Sequence, residues 1–309
     1  MSSGREKWFT WIKLAIDLRS SVIPAIWRRV VATMIFAAIV TVAYYEGFSV
    51  NQPIINSLIP TIVLGLLIVF RTNTAYDRYW EGRKLFGSLI NNSRILSRNI
   101  WFIIPDKTQE QQQEKITQVR LVFSLIVAIK THLRKEYLNP ELSNLLTDQQ
   151  YLELKNVTHI PLRMINWLAA YFSDLYYQKG LINDRFFDLL NKSLDLIAGD
   201  MIGCERILNT PLPKAYSIHL RHLLLIYCLG LPFSYVSDLG WGAIPAVGLV
   251  SFALLGVEEI GIEIENPFGR DPNDLPLDDL CKILHGNIEQ LIQYGTDVEK
   301  TDPTFIYDN

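Results

Sequence analysis

Residues 30–70 read VVATMIFAAIVTVAYYEGFSVNQPIINSLIPTIVLGLLIVF, and Glu46 is the only charged residue among them. Residues 222–257 read HLLLIYCLGLPFSYVSDLGWGAIPAVGLVSFALLGV, with Asp238 alone carrying charge. Charged residues make up 20% of the chain, so each stretch should hold about seven or eight of them. Four apolar blocks follow: Val30–Tyr45, Ile54–Phe70, Leu223–Val236 and Gly240–Val257. A helix crosses a bilayer core with about 20 apolar residues. Each block is near that length or slightly below it. Two short polar breaks, Glu46–Pro53 and Ser237–Asp238, pair the blocks into two hairpins. A large soluble helical core is the competing reading, but such cores rarely lose nearly all charge over stretches this long. A signal peptide fits poorly, because the first block begins near residue 30 with no small-residue cleavage site close behind it.

The flanking charges give an orientation. Arg28 and Arg29 precede the first block, Arg71 follows the second, Arg221 precedes the third and Arg270 lies beyond the fourth. The connecting loops hold no Lys or Arg. The positive-inside rule then places both termini and Thr72–Leu220 in the cytoplasm. Trp27, Tyr44, Tyr45 and Trp241 stand where interfacial aromatics belong.

The remaining composition excludes other classes. A net charge of -3 gives no basic signature for nucleic acid, and three cysteines in 309 residues make no disulfide scaffold. The segment between the hairpins reads as helical. The second span runs on through Arg71–Ile104 until Pro105 stops it. Gln109–Leu138 forms an amphipathic helix whose apolar core, Leu121–Ile129, is too short to span. Pro161–Tyr177 and Asn183–Leu208 are two more helices, and Pro211 with Pro213 breaks the chain before the third span. A tail helix follows, with Asn273 or Asp274 as its cap and Pro276 in its first turn. Its face of Leu277, Leu280, Leu284, Ile288 and Leu291 needs a partner, either the cytoplasmic helices or a neighbouring chain. The expected divisions are residues 1–29, an N-terminal cytoplasmic segment; 30–70, two spans; 71–221, the helical domain; 222–257, two spans; and 258–309, the tail.

Catalytic chemistry is absent from the pattern. No phosphate loop, metalloprotease helix or nucleophile elbow occurs, so no enzyme is expected. The five histidines are scattered, and His219 and His222 read as interfacial polar residues rather than ligands. Cys204, Cys228 and Cys281 share no metal spacing and read as buried thiols. The acids after the last span, including Glu258, Glu259, Glu263, Glu265, Asp271, Asp274 and Asp278, fit a solvated entrance with helix caps. Alternatively, Glu265, Asp271, Asp274 and Asp278 form a cation site or an ion-attracting vestibule.

Specific strings carry a family resemblance. Arg71-Thr72-Asn73-Thr74-Ala75-Tyr76-Asp77-Arg78-Tyr79-Trp80-Glu81-Gly82-Arg83 directly follows an apolar span. Thr210-Pro211-Leu212-Pro213-Lys214-Ala215-Tyr216 precedes the third, and Glu265-Asn266-Pro267-Phe268-Gly269 follows the fourth. Together with Asn273-Asp274-Leu275-Pro276-Leu277-Asp278, these resemble the bestrophin family, in its bacterial branch, from about Trp11 to about Gln293. The resemblance implies an all-α homopentamer around a central pore, with four transmembrane helices and a helical cytoplasmic domain per subunit. It implies a hydrophobic neck at Ile62, Leu66 and Phe70, and a cytoplasmic restriction at Leu212. The implied activity is passage of small monovalent ions across a bacterial inner membrane, chloride by family default and sodium as the alternative. The partners are then the bilayer, the permeant ions and further copies of the chain.

Two departures bear on this. Animal members carry an unbroken acidic run that clasps calcium, whereas Arg270 and Pro272 interrupt it here. That interruption puts calcium gating in doubt, and no cofactor is expected. Animal necks hold several phenylalanines, while Ile62 and Leu66 are aliphatic. A reading from another class remains: a membrane-anchored binding or signalling protein that docks a partner on its cytoplasmic helices.

Overall fold

The computed structural model describes residues 17, 21–50 and 58–301. The first polar break beyond Val50, the start of the second apolar block and most of the N-terminal segment lie outside the described residues. Every regular element among the described residues is helical. The chain divides into two compact units. One comprises Met1–Tyr79, Thr210–Pro267 and Asp271–Asp274; the other comprises Trp80–Asn209, Phe268–Arg270 and Leu275–Asn309.

In the first unit, α1 spans Ile23–Tyr45, starting seven residues ahead of the expected block with Pro24 in its first turn. Pro suits this position because the missing N–H had no helical partner anyway. Helix α2 runs Leu58–Ile103 without interruption, as the lack of breakers predicts. Further along the chain this unit holds Lys214–Leu239 and Ala243–Glu263, joined by a single 3₁₀ turn at Gly240–Gly242. The break expected at Ser237–Asp238 thus falls later. Gly240 sets it: its φ of +52° ends the helix, and a Cβ there would meet Tyr45 Oη at 2.5 Å.

Helix α1 and Ala243–Glu263 lie antiparallel. Tyr45 stacks on Trp241 at one end, and Arg29 reaches Glu258 and Glu259 at the other. The Met34 side chain packs into the notch at Gly248, where a Cβ would lie 2.8 Å from Met34 Sδ. Ala37, Leu231 and Val247 make one apolar cluster, and Leu64, Ile68, Leu220 and Leu224 make another.

The second unit contains the rest of α2 and then α3 (Gln109–Leu133), α4 (Pro140–Ser143), α5 (Asp148–Leu154), α6 (Ile160–Ser173) and α7 (Asp184–Asn209). With the first unit's Lys214–Leu239 and Ala243–Glu263 as α8 and α9, the tail helix Leu277–Thr301 is α10. A π-helical turn, Asp174–Gln178, extends α6. Helix α3 ends five residues sooner than its periodicity predicts, because Lys135 and Leu138 take positive φ. Buried Lys115 closes the α2–α3 turn: its Nζ donates to the carbonyls of Trp101 and Ile104 and pairs with Asp106 at 2.7 Å.

Helix α10 packs on α3 within this unit, so its apolar face finds its partner in the same chain. Arg120 holds Glu289 through two hydrogen bonds, and His285 lies against Phe123. Neither expected cap starts α10. Asn273 Nδ2 donates to Glu263, and Asp274 accepts from the Asp271 N–H.

Three stretches among the described residues are long and apolar enough to cross a membrane: α1, α3 and the Lys214–Glu263 run of α8 and α9. Helix α3 was not expected among them, and burial distinguishes it. Its apolar window is 72% buried inside the structure, against 28% for α1 and 33% for Lys214–Glu263. Helix α3 has the burial of a core helix. The others leave most of their apolar surface uncovered by the chain itself.

Candidate functional site

Helix α2 between Thr61 and Ala75 has two distinct faces. Leu64, Ile68, Arg71 and Ala75 are buried at helical spacing. Ile62, Leu66 and Phe70 lie on the opposite face and are exposed; Leu66 is 52% exposed while Leu64 is 4%. Val63 and Val69 flank this stripe and are exposed too. The inward side is fixed by packing on Leu220 and Leu224 and by Tyr216, whose Oη donates to the Leu67 carbonyl at 2.7 Å. Among the described residues, Ile62, Leu66 and Phe70, named from the resemblance, therefore form one continuous apolar face that is about half exposed or more.

Immediately after Phe70 the chemistry changes. Arg71 points to the buried side, where its Nη1 lies 3.3 Å from Glu258 Oε1. Arg221 Nε approaches the same oxygen at 3.2 Å, and Arg29 Nη1 lies 3.3 Å from Oε2. Arg29 also binds Glu259 at 2.7 Å, and Arg71 reaches Glu265 at 3.7 Å. Three guanidinium groups thus meet three carboxylates. A solvated entrance does not describe Glu258, which is fully enclosed. Sequence reasoning treated it as one acid of a surface run because its neighbours in the chain are acidic. Three of the five arginines that the charge rule groups on one side, Arg29, Arg71 and Arg221, converge on this one carboxylate.

Glu265 has a second role in the same unit. Its Oε1 accepts the backbone N–H of Leu212 at 3.0 Å. Arg78 donates through Nε to the Glu265 carbonyl at 3.1 Å and through Nη1 to the Thr210 carbonyl. The Thr210–Pro213 loop that presents Leu212 is therefore fastened by Glu265 and Arg78, with Leu212 half-buried.

The remaining acids are engaged separately. Asp274 caps the Asp271 N–H at 2.7 Å. Asp278, in the second unit, accepts two hydrogen bonds from Arg134 at 2.9 Å and one from Lys130 at 2.8 Å. Arg134 followed by Lys130 holds the Asp278 carboxyl well below the usual carboxylate range. Arg134 also donates to the Gly269 carbonyl, and Phe268 of the Asn-Pro-Phe-Gly string is completely buried.

Cys204, Cys228 and Cys281 are free and buried, and burial pushes the Cys204 and Cys281 thiols up to about 12. His219 and His222 are exposed on α8. Sequence spacing missed one histidine grouping: His132, His159 and Glu205 come together in the second unit from positions 27 and 46 residues apart.

Apolar helices with uncovered flanks, joined in one chain to a self-packed helical unit, define a helical membrane protein. Within that class the chain belongs to the bestrophin family: the sequence model described as Bacterial/Fungal Bestrophin protein matches residues 2–290. It is 47% identical to the voltage-dependent anion channel-forming protein of Nostoc sp., across 94% of this chain and 95% of that one. A protein of the same description from Synechocystis sp. is 43% identical over 92% of both chains. Among solved structures, a bacterial bestrophin homologue from Klebsiella pneumoniae superposes with a TM-score of 0.79 at 25% identity, covering 87% of this chain and 98% of that one.

Proposed function

We propose that the protein is a pentameric channel that passes small monovalent anions, chloride among them, passively across a bacterial inner membrane. Helices α1, α8, α9 and the apolar start of α2 are the four crossings, with both termini cytoplasmic. Ile62, Leu66 and Phe70 form the neck, and Leu212 forms the cytoplasmic restriction. The reading rests on one observation above the others: an apolar stripe on α2 stands free while the opposite face is fully packed. Repetition of the chain about an axis covers such a stripe by turning it into successive apolar rings. A narrow apolar ring gates by dewetting, because an ion loses hydration there without gaining ligands. Such rings do not choose the sign of the ion. The names of the Nostoc and Synechocystis relatives support anions. No catalytic step enters this function.

The test is the reversal potential of the purified protein in a planar bilayer under a sodium chloride gradient, with subunit number measured in parallel. Reversal near the chloride equilibrium potential is the expected result. Reversal near the sodium potential overturns the anion assignment. A folded monomer or dimer without current overturns the channel and favours a membrane-anchored docking protein.

A further inference from the structure

We propose that His132, His159 and Glu205 form a binding site for a divalent transition-metal ion, zinc by ligand type, that ties three helices of the second unit together. The three side chains come from separate elements. His132 lies in the last turn of α3, His159 is the residue before α6, and Glu205 sits near the end of α7. Glu205 Oε1 stands 2.9 Å from His132 Nε2 and 2.8 Å from His159 Nε2. The two imidazole rings lie 4.6 Å apart at 32°, and one ligand atom from each residue falls within 4.8 Å of the others. It is the only such grouping among the described residues.

The donor set fits zinc. Two imidazole nitrogens and one carboxylate oxygen make a three-ligand site that leaves a fourth position for water. Tetrahedral coordination with bonds of about 2.0–2.1 Å puts ligand atoms about 3.3 Å apart. Each N···O pair therefore opens by about half an ångström as a metal replaces the shared hydrogens. The side chains are about one-third exposed or less, which gives an ion a path in and a water ligand room. In the metal-free arrangement the Leu162 N–H donates to His159 Nδ1 at 3.2 Å, so His159 carries its proton on Nε2 and donates to Glu205. Loading shifts that ring proton to Nδ1, and the exposed Leu162 N–H turns to water instead. The rings remain neutral, and the metal accepts the electron pairs on Nε2.

The full-length protein in detergent, stripped with chelator and dialysed, is equilibrated with zinc chloride, and bound metal is counted by mass spectrometry. Cobalt(II) replaces zinc in a parallel sample for its visible absorption. One zinc per chain and an intense tetrahedral cobalt spectrum are expected. Glu205→Gln should weaken zinc by at least about tenfold, the loss that even removal of an outer partner brings. His132→Ala/His159→Ala should abolish the cobalt spectrum, with helix content checked by circular dichroism. Zinc should also raise the thermal midpoint of the unaltered protein and not of the variants, since a ligand bound only by the folded form stabilises it. Failure of the folded protein to take up zinc overturns the site, as does equal uptake by the variants. These readouts do not depend on ion current, so they stand apart from the channel assignment.

Discussion

Arg71 Nη1 lies 3.3 Å from Glu258 Oε1, and both side chains are almost completely enclosed. Arg29 and Arg221 bind the same carboxylate from more exposed positions. This pair joins the end of the apolar stretch of α2 to the last turns of α9. Breaking a buried ion pair on one side costs more than the pair contributes, because the remaining charge stays buried without compensation. Glu258→Gln should therefore destabilise the protein by about 3–5 kcal/mol. Glu259→Gln removes only one of the two partners of half-exposed Arg29 and should cost about 1 kcal/mol or less. Chemical denaturation in detergent, followed by tryptophan fluorescence, separates the two. Equal losses for both variants count against the buried network.

The two faces of α2 predict opposite phenotypes. Leu64 and Ile68 are packed against α8, whereas Ile62, Leu66 and Phe70 are exposed among the described residues. Leu64→Ala should cost about 2–5 kcal/mol of stability, the usual range for a buried leucine. Replacing Ile62, Leu66 and Phe70 together by Ala should leave the subunit fold intact and enlarge single-channel conductance, because smaller side chains widen the apolar rings and a wider ring holds water more readily. An unchanged current removes these residues from the neck.

Glu265 fastens the loop that carries Leu212 through a backbone N–H, so an acceptor oxygen is what the contact requires. Glu265→Gln keeps such an oxygen, although it loses the charge facing Arg71. Glu265→Ala keeps neither. If Leu212 forms the cytoplasmic restriction, Glu265→Ala should alter the current–voltage relation, and Glu265→Gln should stay nearer the unaltered protein. Identical behaviour of the two variants would show that the charge matters rather than the hydrogen bond.

The apolar helices were legible because missing charge is a property of composition and survives without any contact map. The unbroken run of α2 was legible because nothing between Thr61 and Ile104 stops a helix. The ion pairs were not. Arg29, Arg71, Arg221 and Glu258 are distant in sequence, and local chemistry placed Glu258 with its solvated neighbours. The partner of α10 was hidden for a similar reason: periodicity identifies an apolar face but not what covers it. The end of α3 was missed because positive φ at Lys135 and Leu138 has no Gly or Pro to announce it. His132, His159 and Glu205 share no spacing that any local motif would reveal.

Asp278 sets the acid sensitivity of the tail. It is the second residue of α10 and links that helix to Lys130 and Arg134 of the segment closing α3. Its carboxyl is depressed chiefly by the Arg134 hydrogen bonds and then by Lys130, while burial opposes the shift. A depressed carboxylate contributes stability that is fully present above its unfolded pKa of about 3.9 and is lost as pH falls toward the folded value. The side chain is half-exposed, so solvent screening keeps the contribution modest. Lowering the pH from about 6 to about 3 should therefore reduce the thermal midpoint of the unaltered protein more than that of Asp278→Asn, which has no such charge to lose. Amide exchange should locate the difference in α10, with faster exchange at low pH in the unaltered protein. An Asp278→Asn variant as acid-sensitive as the unaltered protein would assign the loss to other carboxylates.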